Sequence, residues 1–134
     1  MSAEIIDLSM FGDNPETVSF SKRSVIFVKD DDGGNAYIVR SGAVQVRGAG
    51  RAIETVGVGG LFGEMAVIDG RPRSASAVAV ADTELIVIAS DEFHRLVAEE
   101  PGFAARVLRI VVDRLRATDV IAADQDVKRQ GLAV

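Results

Sequence analysis

The chain has 134 residues, 48% hydrophobic and 26% charged, with a formal charge of -5 from 20 acids against 15 bases. That length is one domain with a buried core, and the composition is that of a folded protein. The acidic balance is the reverse of that expected for a domain gripping nucleic-acid phosphates. With no cysteine and a single histidine, His94, disulfides, thiolate metal sites, cysteine-held iron–sulfur clusters and multi-histidine metal enzymes are set aside.

The N-terminus, MSAEIIDLSM, has no basic leader and no long apolar run. No segment approaches the ~20 apolar residues that span a bilayer, so a soluble cytoplasmic protein is expected, with no membrane partner. Residues 1–15 make an N-terminal segment with one short apolar pattern, closed by the turn signal Asn14-Pro15. From 18 to 89 the sequence reads as strands. The runs VIFV, AYIV, AVQV, AIETVGV, SASAVAVA and ELIVIA are rich in β-branched residues and are separated by clusters such as DDDGGN, RGAGR and DGRPR. Short strands with Gly-rich turns predict an antiparallel sandwich or barrel.

Two helical patterns follow, over 90–126, with a tail at 127–134. Ser90 suits an N-cap, with Asp91 and Glu92 in the first turn, and Pro101-Gly102 should stop that helix. His94 falls on its surface. The second helix should run from 103 to about 125. Its apolar residues, among them Phe103, Val107, Leu108, Ile110, Val112 and Leu115, cover an arc of roughly 200°, twice the usual single stripe. Two packed surfaces explain such an arc, one against the sheet and one against a partner helix, so a homodimer is expected. Arg114 falls inside the arc; either it pairs with Glu64 or its head snorkels into water.

The chemistry concentrates in LFGEMAVIDGRPRSASA, 61–77. Gly63 after Phe62 lets the backbone turn sharply, and 64–67 can form a helical turn whose first amides suit an anion. Arg73, followed by the small residues Ser74, Ala75 and Ser76, offers that anion a planar fork. Glu64 would repel a phosphate, but it can accept a hydrogen bond from a neutral hydroxyl on the same scaffold. Amides and an arginine for one negative charge, with an acceptor for a sugar hydroxyl, describe a 3′,5′-cyclic nucleotide.

The stretch resembles the phosphate-binding cassette of the cyclic nucleotide-binding domain family, which includes catabolite activators, protein kinase A regulatory subunits and cyclic nucleotide-gated channels. Phe62, Gly63, Glu64, Met65, Ala66, Arg73, Ser74 and Ala75 carry the likeness. It extends upstream through Tyr37 and the turn Ser41-Gly42, and downstream through the helical end. The resemblance implies a single domain over 1–134: an eight-stranded antiparallel β-roll of jelly-roll type, flanked by a short N-terminal helical segment and two C-terminal helices, the last one long. It implies no catalysis and no cofactor. Glu64 would hold the ribose hydroxyl and Arg73 the cyclic phosphate, with amides near Gly63, Glu64 and Ala75 and the Ser74 hydroxyl completing the shell. By likeness to the catabolite activator helix, Thr118 would meet the base and Asp119 the partner subunit's ligand.

Two positions depart from the family pattern, Asn35 and the Arg23-Ser24 turn, where the family has an aspartate and a glycine. Both shape turns. The sequence also closes at Val134, before any DNA-reading, kinase or channel module, so the output is expected to pass to an unknown protein effector. GVGGLFG lacks the third glycine of a dinucleotide loop, because Phe62 stands there. Three readings remain: a cyclic nucleotide sensor, a ligand-free interaction domain of the same fold, and a jelly-roll enzyme. The enzyme lacks its metal ligands. Between bases, Asp119 favours guanine and Thr118 adenine, and cyclic AMP is the preferred expectation over cyclic GMP.

Overall fold

The computed structural model describes residues 4–129, and their side chains as far as Ala117. Eight strands lie in chain order: β1 (Thr17–Phe20), β2 (Val25–Phe27), β3 (Asn35–Ser41), β4 (Val44–Gly48), β5 (Arg51–Val56), β6 (Leu61–Phe62), β7 (Ser76–Ala79) and β8 (Thr83–Ala89). They form two four-stranded antiparallel sheets, ordered β1-β8-β3-β6 and β2-β7-β4-β5. A single 3-10 turn, Leu8–Phe11, precedes them. Helix α1 (Glu64–Asp69) interrupts them, and α2 (Ser90–Glu99) and α3 (Pro101–Arg129) follow. The jelly-roll architecture read from the sequence is the one observed.

Strand alternation builds two cores. In β3 and β8 the even positions Ala36, Ile38, Ile86 and Ile88 turn toward the helices, where Phe93, Leu96, Phe103, Val107 and Ile110 cover them. The odd positions Val39 and Leu85 turn into the sandwich and meet Val44, Val56, Phe62 and Ala77 from the remaining strands. Both faces of β3 and β8 are therefore buried, which is why AYIV and ELIVIA read as unbroken apolar runs.

Several boundaries differ from the sequence reading. The β1 and β6 strands escaped it as separate runs, because TVSF and LF are too short to show a period. Ala89, not Ser90, occupies the cap position of α2. Its pairing with Asn35 keeps it extended, so β8 runs straight into the helix and Ser90 is the first helical residue. His94 is exposed on α2, with its Nδ1 2.7 Å from the Ser90 carbonyl. Pro101 ends α2 and opens α3, a position where its missing N–H costs nothing. The α3 helix continues to Arg129, beyond the expected limit of 126. The turn departure at Arg23 has a physical basis: its φ of 76° lies in the left-handed region that glycine adopts freely.

The described apolar residues of α3 are partly buried in the domain and partly exposed. Phe103, Val107 and Ile110 are buried against the first sheet, whereas Leu108, 66% exposed, and Val112 face outward. The charged side of α3 holds the N-terminal segment. Arg109 Nε donates to Glu4 at 2.7 Å, Arg106 donates to the Ile5 carbonyl at 2.8 Å, and Ile6 is buried beneath. Arg114 is not snorkelling. It is 9% exposed and ion-paired to Glu64 and Glu54. Among the described residues no helix is long and apolar enough to cross a membrane.

Candidate functional site

A cavity of about 260 Å³ opens between the second sheet, α1 and α3. Eight of the nine residues singled out in the sequence line it: Phe62, Gly63, Glu64, Met65, Ala66, Arg73, Ser74 and Ala75. Thr118, the ninth, and Asp119 lie in α3 but outside the residues whose side chains are described. Apolar walls come from Phe27, Val46, Ile53 and Leu115, and polar groups from Glu54, Arg114 and Lys29. An apolar pocket with a few convergent polar groups is the form expected of a small-molecule site.

Arg73 is held from both main chain and side chain. Its N–H donates to the Asp31 carbonyl and its own carbonyl accepts from Asp30 N–H, both at 2.8 Å, so the β2–β3 loop clamps it. Nη1 donates to the Gly63 carbonyl and Nη2 to the Asn35 carbonyl, each at 2.8 Å. The guanidinium carbon lies 4.0 Å from the centroid of the Phe27 ring, a cation–π contact over an aromatic cluster with Tyr37 and Phe62. The residue is 5% exposed, and its Nε is the one buried side-chain polar atom without a partner among the described residues. Burial lowers the pKa of the guanidinium, and the nearby Tyr37, Glu64 and Asp31 draw it partly back. A buried cation with an unspent donor beside a cavity has the chemistry of an anion receptor.

Glu64 opens α1. Gly63 precedes it at φ 76°, and a Cβ there would lie 2.9 Å from Arg73 Nη1, so both the turn and the arginine require glycine. Glu64 is 1% exposed, and its partner is the Nη1 of Arg114. Burial pushes its carboxyl above the ordinary range, although the Arg114 charge pulls the other way. Ser74 is exposed at the rim, and its Oγ lies 3.9 Å from Met65 Sδ. Ser76, by contrast, is structural: its Oγ accepts from Lys29 N–H at 2.9 Å.

Sequence reasoning missed four contributors. Phe27 supplies the ring under Arg73, and Asn35 contributes a carbonyl instead of its side chain. Glu54 accepts from Arg114 Nε at 2.9 Å. Gly33 lies so close that a Cβ would stand 2.6 Å from Ala66 Cβ and 2.8 Å from Arg73 Nε. The run DDDGGN signalled a turn, but nothing in it indicated which glycine faces the arginine. Gly33→Ala should therefore overpack the site by about 1–3 kcal/mol and displace Arg73. Gly34→Ala, with open space around it, should have no such effect. Paired thermal melts of the two variants check this, and equal melting temperatures would contradict the close approach.

A family model of the cyclic nucleotide-binding domain matches residues 17–100. The chain is 38% identical over 100 residues to the cyclic AMP receptor protein of Thermus thermophilus, covering 71% of this chain and 46% of that protein. It spans about half the length of that protein and of the Mycobacterium tuberculosis global transcriptional regulators it also matches. Among solved structures, the Thermus thermophilus catabolite activator protein superimposes with a TM-score of 0.71 at 30% identity, over 89% of this chain and 65% of the other. The EAL enzyme Bd1971 has been solved in cyclic AMP-bound and cyclic GMP-bound forms. These superimpose at TM-scores of 0.61 and 0.62, with 29% and 30% identity, over 85% and 86% of this chain and 32% of each of theirs. With its two-sheet roll, its Gly63-Glu64 turn and its buried arginine, the chain belongs to the cyclic nucleotide-binding domain family.

Proposed function

We propose that this chain is a regulatory binding module, not a catalyst, and that a 3′,5′-cyclic nucleotide occupies the cavity at 61–77. The observation that carries the reading is Arg73, buried beside the Gly63 turn with Nε unpaired. Its guanidinium and the amides around Gly63, Glu64 and Ala75 meet the cyclic phosphate, with the Ser74 hydroxyl at the rim. Glu64 accepts the ribose 2′-hydroxyl, and Phe62, Met65 and Ala66 shape the turn. The base lies toward α3, where Thr118 is the candidate contact. Cyclic AMP is the preferred ligand, in keeping with the cyclic AMP receptor protein it resembles, and cyclic GMP is the competitor.

Binding orders the α1 turn and draws α3 over the pocket, and it shifts that equilibrium only by its differential affinity for the closed form. The outward residues Leu108 and Val112 supply a homodimer contact through which the change reaches an effector in the cytoplasm. A ligand-free interaction domain of the same fold is the second reading, favoured by the carbonyls that already occupy two donors of Arg73. Calorimetric titration with cyclic AMP and cyclic GMP, beside sedimentation, separates the two. Saturable binding with a ligand-dependent melting temperature is expected. No heat and no thermal shift at millimolar ligand would establish the second reading.

A further inference from the structure

The Arg114 guanidinium ties α3 to three other elements. From α3 it reaches Glu54 on β5 through Nε at 2.9 Å and Nη2 at 3.4 Å. Nη2 also donates to the Leu61 carbonyl on β6 at 2.5 Å, while Nη1 goes to Glu64. The group is planar, so fixing the Nε–Nη2 edge fixes the direction in which Nη1 points. Glu54 lies 60 positions from Arg114 in the chain, and each side chain is 10% exposed.

We propose that Glu54 is a positioning residue for the sugar end of the site: by holding one edge of Arg114 it aims the other edge at Glu64, and thereby sets the discrimination between ribose and deoxyribose. The proposal rests on the function given above. Charge alone predicts the opposite effect. Glu54 is a second negative charge near Glu64 and opposes its ionisation. If Glu54 acted only through its field, removing the charge would make Glu64 a better acceptor and sharpen the preference for ribose. If it acts by aiming Arg114, removing it takes the acceptor from Nε and loosens the aim of Nη1 at Glu64, although the Leu61 carbonyl still holds Nη2, and the preference declines.

The test compares Glu54→Ala, which removes both the charge and the acceptor, with wild type by titrating each with cyclic AMP and with its 2′-deoxy analogue. The ribose-over-deoxyribose affinity ratio should fall about fivefold or more. An unchanged or increased ratio overturns the proposal. Glu54→Leu, which fills the space but offers no acceptor, should lower the ratio likewise and serves if Glu54→Ala does not fold. A ligand-free measurement stands beside these. The Arg114 Nε–H, followed by side-chain NMR, should be protected from exchange in wild type and lose that protection in Glu54→Ala; retained protection overturns the proposal. If wild type binds neither nucleotide, the assigned function fails, and the NMR signal still decides whether Glu54 holds Arg114.

Discussion

Arg73→Ala is expected to weaken cyclic nucleotide binding by about 2–5 kcal/mol, roughly 30- to 4,000-fold. The size follows from burial: Arg73 is 5% exposed, so its charge is only weakly screened by water. Part of the effect is structural. The Gly63 and Asn35 carbonyls would each lose their donor, and an unpaired buried acceptor costs about 1–3 kcal/mol. Binding must therefore be measured by calorimetry below the melting temperature, with circular dichroism confirming the fold. Arg73→Lys should recover only part of the affinity, because one ammonium cannot meet both carbonyls and a phosphate. A folded Arg73→Ala protein that binds as tightly as wild type would remove Arg73 from the site.

The second large effect concerns stability. Arg114→Met would leave Glu64 buried beside Glu54 without its cation, and breaking a buried pair from one side costs about 3–5 kcal/mol. In wild type, burial draws the Arg114 guanidinium down, but the charge of Glu64 and the hydrogen bond and charge of Glu54 outweigh it and hold its pKa above the ordinary value. The cost should depend on pH. Glu64 has a folded pKa above its ordinary 4.5, and removing Arg114 raises it further. Between the unfolded and folded values the native state holds more protons, so stability falls as pH rises through that interval. Arg114→Met should thus be nearest to wild type around pH 4.5 and lose ground as pH rises through the folded value of Glu64, then level off. Urea unfolding at a series of pH values measures it. Adding Glu64→Gln to Arg114→Met should restore much of the stability and flatten the difference; a deficit independent of pH would show that lost packing, not charge, is responsible.

These two arginines differ in how legible they were. Arg73 lies in a contiguous stretch whose turn, helix start and small flanking residues are all local, so the spacing pointed to an anion site and the family resemblance marked it as the cassette. Arg114 was recognised only as a charge inside an apolar arc, with pairing and snorkelling equally open. The choice depended on Glu54, which no local pattern marks. The same holds for Asn35, which meets Arg73 through its backbone carbonyl across 38 positions, an interaction to which its side-chain identity is irrelevant.

From the sequence alone came an antiparallel two-layer β fold, narrowed to a jelly roll by the family resemblance, and the cassette at 61–77, because alternation, turn chemistry and motif spacing are properties of neighbouring residues. Packing of the folded chain decided which side chains surround the arginine, which glycine must stay bare, and where the Arg114 charge is spent. Those depend on distant segments meeting in space, and hydrogen-bond partners 38 to 60 positions apart leave no local periodic trace.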